Sequence, residues 1–281
     1  MEKIDVMKEY YDAMADNRIV PYFQPIFSIE TEDIVSAEVL CRLKQDNGNL
    51  ILPEGLIPIL ERTGEICDLD WYMLEKACSL ALYMDVEYGE RIYLSVNMSR
   101  RHVNEWDAVE RLCSIVDSYC VDRKRIEIEI TEGYRSHDFL LINMIDRIRE
   151  AGFSVAADDF GKGYSTLSFL KENHVDTIKI DKSFINGNID HDNTDAILQG
   201  ILDMSDILGI STIAEGVETE EQMLFLSHNG CSLMQGNYFS PPQSKEDFIQ
   251  FYCEFNGCEC KSKKKKDKKK ISIDLPELPP I

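Results

Sequence analysis

Residues 125–159 read RIEIEITEGYRSHDFLLINMIDRIREAGFSVAADD, and the hydrophobic period changes twice within them. RIEIEIT alternates Ile with Glu or Thr, the two-residue repeat of a strand. In DFLLINMIDRIREAG the residues Leu141, Met144, Ile145 and Ile148 recur at helical spacing, which predicts one apolar stripe facing a core. Ser136 is placed to cap the start of that helix and Gly152 to stop it. FSVAAD then returns to a short apolar run, a second strand. A strand, an amphipathic helix and a strand in succession make an α/β unit with parallel strands.

The same alternation extends outward from residue 20 to residue 240. VPYFQPIFSI, DIVSAEVL, RIYLSVN, VDTIKI, GISTIAE and CSLMQG read as further strands. DLDWYMLEKACSLALYM, NTDAILQGILDMSDILG and TEEQMLFLSHNG read as helices, the last opening on the capping-box pair Thr219 and Gln222. Trp71 and Trp106 fall in amphipathic patterns and are expected in the core. Eight strands alternating with helices point to a (β/α)8 barrel. A doubly wound open sheet stays the alternative, because periodicity does not say whether a sheet closes.

The 281 residues carry 30 Lys and Arg against 51 Asp and Glu, a formal net charge of -21. Such acidity excludes a general nucleic-acid binder, which must neutralise phosphates with cations. It also suits anionic membranes poorly. No apolar run is long enough to span a bilayer, and the N-terminus lacks a signal-like apolar core, so a cytoplasmic protein is expected. Six of the nine cysteines (41, 67, 78, 113, 120 and 231) lie singly in apolar stretches and read as free, buried thiols. Cys253, Cys258 and Cys260 lack zinc-site spacing. Residues 1–18 read as a helical segment and 19–255 as one domain. From 256 to 281 the chain is Lys-rich, then Pro-rich, and reads as a disordered tail whose partner is unknown.

The informative residues are polar ones at the ends of strands that must be buried. Glu38 closes DIVSAE, Asn97 closes RIYLSVN, and Glu129 lies in RIEIEIT. Asp158 and Asp159 follow FSVAA, Lys179 lies in TIKI, Glu215 closes GISTIAE, and Gln235 follows CSLM. One acid there is usually a helix cap. Seven such strand ends, carrying five carboxylates between them, are not, and a barrel brings such ends to one mouth. Crowded carboxylates repel, and some would be driven neutral unless cations balance them. Oxygen donors without His or Cys suit Mg²⁺ or Mn²⁺. The adjacent pair Asp158–Asp159 suits two ions, an arrangement that cleaves phosphodiesters. DDFGKGYSTL, with Gly161 and Gly163, reads as a flexible loop over the mouth.

Other chemistries lack support. The five histidines form no HxxxH or His-Asp spacing, GKGYST lacks the first Gly of a phosphate loop, and no G-x-S-x-G elbow exists.

The strings YFQPIF, EVLCR, VNMS, EITE, DDFGKGYSTL, IKID, AEGVE and QG, in this order over about residues 19 to 254, closely resemble the EAL domain family of bacterial cyclic-di-GMP phosphodiesterases. The resemblance implies a TIM-like (β/α)8 barrel with an antiparallel first strand. It also implies hydrolysis of cyclic di-GMP to linear pGpG with two Mg²⁺ or Mn²⁺. By matching position, Glu38, Asn97, Glu129 and Asp158 would hold the first ion, and Asp158 with Asp159 the second. Lys179 would hold the attacking water, Glu215 would be the general base, and Gln235 would orient that region. Gln24, Leu40, Arg42 and Asp181 would contact the substrate, Arg42 through phosphate. Glu132 would steady the loop after Asp159, and Glu218 would support it from outside. Val39 replaces the Ala of E-A-L, and Asn237 stands where an aromatic is common. A homodimer is expected. The competing reading is a catalytically silent receptor or interaction module, which would have lost some of these residues.

Overall fold

A computed structural model describes residues 3–45, 49–51, 55–131, 139–161, 166–185 and 192–260. Eight strands form a closed ring: β1 (Ile19–Ser28), β2 (Asp33–Lys44), β4 (Tyr93–Asn97), β5 (Ile126–Thr131), β6 (Ser154–Phe160), β7 (Thr177–Ile180), β8 (Ser211–Ala214) and β9 (Leu233–Met234). A short β3 (Leu50–Ile51), unseen in the periodicity, hangs from the end of β2. The sheet order runs β1, β9, β8, β7, β6, β5, β4, β2, and β1 pairs with β2 to close the barrel. The open-sheet alternative is thereby excluded.

β1 runs antiparallel to both neighbours, and the other barrel pairs are parallel. The reason is local. Only Ile29–Glu32 separate β1 from β2, with Glu32 in the left-handed region at φ 56°. Four residues can close a hairpin but cannot hold the crossover helix that a parallel pair needs.

Helices cover the outside: α2 (Ile57–Thr63), α3 (Ile66–Glu87), α4 (Ala108–Ser118), α5 (Phe139–Glu150), α6 (Thr166–Glu172), α7 (Asp192–Leu208) and α8 (Glu220–His228). The stripe on α5 is as the spacing requires, with Leu141, Met144, Ile145 and Ile148 buried. Gly152 follows in the left-handed conformation at φ 96°. Thr219 and Gln222 form both bonds of the capping box on α8. The alternation in β5 resolves into two environments. Ile126, Ile128 and Ile130 join the apolar core, whereas Glu127 and Glu129 line cavities of the barrel.

The first and last described helices pack on this body. From α1 (Lys3–Ala15), Tyr10 and Ala13 enter the same core. From α9 (Lys245–Asn256), Phe248 lies 5.5 Å from Phe23 of β1. Asn256 donates to and accepts from the backbone of Ile34 at 2.8 and 3.1 Å. Of the expected tail 256–281, Asn256 still closes α9, and residues 261–281 lie outside the described residues. Among the described residues, no helix is long and apolar enough to cross a membrane.

Four expectations need correction. Trp71 is buried, but Trp106 is 84% exposed, because it sits in the turn before α4 and on no helix face. Cys120 is exposed in a turn at φ 56°. Cys253 and Cys258, at the end of α9, are paired as a disulfide; the other six expected thiols and Cys260 are free. Glu38 does not end its strand, since β2 continues to Lys44.

Candidate active site

The β2 segment from Glu38 to Arg42, with Leu40 between them, lines one cavity of about 420 Å³. Asn97, Met98, Ser99, Glu129 and Thr131 share its wall. A second cavity of about 420 Å³ meets the first at Glu38 and Leu40. Its lining includes Gln24, Asp158, Asp159, Asp181, Glu215, Glu218 and Gln235. The described candidate residues other than Lys179 thus line one two-lobed mouth. Lys179 lies beneath it, fully buried. Glu132 lies outside the described residues, as does much of the DDFGKGYSTL loop.

Consecutive residues of a regular strand face opposite ways, so Asp158 and Asp159 could not both reach the mouth from an even strand. The pairing of β6 with β7 slips between Ala157 and Phe160, and Asp159 adopts φ 54°. This bulge, with a short polar residue in the left-handed conformation, turns both carboxylates to the same cavity. The D-D dipeptide names the residues, but only the sheet register shows how they are presented.

Lys179 Nζ is the hub. It lies 2.7 Å from Glu215, 2.8 Å from Glu129, 3.0 Å from Glu38 and 3.5 Å from Asp158. Burial alone would lower its pKa, but these carboxylates hold it well above the ordinary lysine value. The acids respond differently to one another. Burial and the Glu38 charge push Glu129 well up. Burial also raises Asp158, and it pushes Glu215 up to about 7. For Glu38, burial is outweighed by Lys179 and by hydrogen bonds from Gln235, Lys179 and Asn97, so its pKa is lowered.

Gln235 acts as a strut. Its Nε2 donates to Glu38 at 2.6 Å and to Gln24 at 3.1 Å, while Gln24 Nε2 donates to the Ser240 carbonyl at 3.4 Å. Asn97 Nδ2 donates to the other Glu38 oxygen at 3.3 Å. Asp181 accepts from Ser183 N–H at 2.9 Å, capping the short turn Lys182–Phe184, and it also lines the mouth. Glu218 stands at the rim with its N–H donating to Gln222.

The donor set fits a divalent cation. Five carboxylates and one lysine give the site a formal charge of -4, and among the described residues Glu129 Oε1 is buried with no hydrogen-bond partner. An unsatisfied buried carboxylate oxygen costs more than a kcal/mol unless something binds it. The amide oxygen Oε1 of Gln235 is likewise buried without a partner among the described residues.

Sequence reading missed two features here. Gly236 follows Gln235 because a Cβ there would lie 2.1 Å from the Val217 carbonyl oxygen. Gly236→Ala must push two backbone segments apart, at about 3 kcal/mol by the cost of overpacking. A chemical denaturation curve superimposing on the wild type would contradict this. The second is His102, whose ring contacts Asp70 and Glu105. The residues are too far apart in sequence for a spacing motif to reveal the first pair.

The EAL domain family matches residues 7–242. The protein named "Probable cyclic di-GMP phosphodiesterase PdeG" of Escherichia coli is 34% identical over 240 residues, covering 85% of this chain and 47% of that protein. Cyclic di-GMP phosphodiesterase NbdA of Pseudomonas aeruginosa is 29% identical over 255 residues, covering 89% of this chain and 33% of its own. This chain therefore spans a third to a half of these relatives. The PaMucR phosphodiesterase, solved in complex with c-di-GMP, superposes with a TM-score of 0.80 at 26% identity, covering 87% of this chain and 99% of that one.

Proposed function

Because the chain belongs to the EAL domain family, we propose that it hydrolyses cyclic di-GMP to linear pGpG. The observation that carries this reading is the buried Lys179 among four carboxylates, with Glu129 Oε1 left without a partner among the described residues. Glu38, Asn97, Glu129 and Asp158 would hold one divalent ion, and Asp158 with Asp159 a second, Mg²⁺ or Mn²⁺. When bound, such ions acidify a water and neutralise charge on the phosphoryl oxygens.

The chain's own groups supply the rest. Lys179 donates from Nζ to orient the attacking water, and Glu215 takes its proton. A carboxylate near pKa 7 is well matched to that task at neutral pH. The water oxygen forms a bond to phosphorus as the bond to one ribose 3′ oxygen breaks; that oxygen takes up a proton from solvent, and Glu215 returns to solvent the proton it removed from the water. Arg42 binds a phosphate, Gln24, Leu40 and Asp181 contact the nucleotide, and Gln235 holds Glu38 in place. Glu132 and Glu218 steady the loop that follows Asp159. We place the protein in the cytoplasm as a homodimer, with residues 19–255 as the catalytic domain.

Purified protein with Mg²⁺ or Mn²⁺ is expected to convert cyclic di-GMP to pGpG, and EDTA to stop it, as read by anion-exchange chromatography. Binding of cyclic di-GMP without turnover in either metal would sink the enzyme reading and favour a receptor.

A further inference from the structure

Behind the mouth, α3 meets the turn after β4. We propose that Asp70 and His102 are positioning residues for the reaction, locking that turn and with it Asn97; the proposal rests on Asn97 being a metal ligand as read above. Asp70 Oδ2 accepts from the backbone N–H of Ser99 at 2.7 Å, two residues past Asn97. The same oxygen lies 3.0 Å from His102 Nε2, and His102 Nδ1 lies 2.9 Å from Glu105 Oε2. His102 is wholly buried, with Trp71 edge-on at 4.5 Å between ring centroids.

The turn has further ties. The Ser99 hydroxyl donates to Glu61 at 3.1 Å, and Met98 N–H donates to the Glu129 carbonyl at 2.9 Å. Asp70 differs from these in being a buried carboxylate, 8% exposed, so its bonds to two donors are charge-assisted and short. Burial would lower the pKa of His102, but hydrogen bonds with Asp70 and Cys67 push it up to about 10. With a carboxylate oxygen at each ring nitrogen, the doubly protonated ring is the form that donates to both.

Asn97 needs this support more than its neighbours do. A neutral amide is drawn to a cation less strongly than a carboxylate, and Asn97 is tied to Glu38 only by a 3.3 Å bond. Its position is therefore set by the backbone on either side. Outer partners of metal ligands commonly carry about 10- to 100-fold in metal affinity or activity.

Calorimetric titration of Mn²⁺ into the metal-free full chain reads this without turnover. Asp70→Ala and His102→Ala are expected to weaken one binding event about tenfold or more and leave the other near wild type. Asp70→Asn keeps an acceptor for Ser99 but loses the charge, and about threefold weakening is expected. Folded alanine variants that bind Mn²⁺ as the wild type does overturn the proposal. Should they not fold, Asp70→Asn and His102→Gln decide. A loss of about threefold or more in either supports the positioning role, and wild-type affinity in both overturns it. Failure of the wild type itself to bind Mn²⁺ refutes the metal-site reading instead, and is seen before any variant is compared.

Discussion

Glu38→Gln is expected to reduce turnover of cyclic di-GMP by at least about 10³-fold, close to 4 kcal/mol of transition-state stabilisation. Glu38 is the one acid touched at once by Lys179, Gln235 and Asn97, at 3.0, 2.6 and 3.3 Å. It also belongs to both lobes of the mouth. The glutamine keeps the shape and most of the packing but exchanges a charged oxygen for an NH₂ group. That group repels a cation and faces Gln235 Nε2, itself a donor. Steady-state kinetics over a range of Mn²⁺ concentrations, with circular dichroism to verify folding, measures the loss. Activity within tenfold of the wild type at moderate Mn²⁺ would show that Glu38 holds no essential ion.

The second large effect concerns stability as well as chemistry. Lys179→Met is expected to abolish turnover and to cost the metal-free protein about 3–5 kcal/mol, the loss usual when one partner of a buried ion pair is removed. Methionine fits the space but leaves Glu38, Glu129, Asp158 and Glu215 facing one another without their shared cation. Divalent ions should return part of that stability, because they bind the folded state and neutralise the same carboxylates. Urea denaturation with EDTA and with Mn²⁺ tests both statements. A variant as stable as the wild type in EDTA would mean that the carboxylates are already neutral, and the charge argument would fall.

Much of the site was legible because burial makes polar residues conspicuous. Glu129 between Ile128 and Ile130, or Lys179 between Ile178 and Ile180, has no place in an apolar strand unless a partner waits inside. The adjacency of Asp158 and Asp159 was legible too, although a regular strand would have sent one of them away from the mouth. The bulge at Asp159 was not readable, since it depends on the register of β6 against β7. Trp106 misled because a period of 3.6 continues across a turn on paper. Asp70 and His102 were invisible for a related reason: a contact spanning 32 positions leaves no periodic trace.

By itself, the sequence determined the alternation of strand and helix, the capping of α8, and the identity of the acids and the lysine. These follow from local rules, in which hydrophobic period and turn chemistry act within a dozen residues. The hairpin that reverses β1 was within reach of the same rules, since four residues leave no room for a crossover. Tertiary structure alone decided that the sheet closes, that eight scattered polar residues share one mouth with Lys179 at its floor, and that Asp70 braces the turn behind Asn97. Closure and convergence depend on strand register and on contacts between distant segments, and those energies exist only when the chain has folded around them. The excess negative charge belongs to both levels: it is countable in the sequence, but only the barrel gathers four of its carboxylates around one buried ammonium.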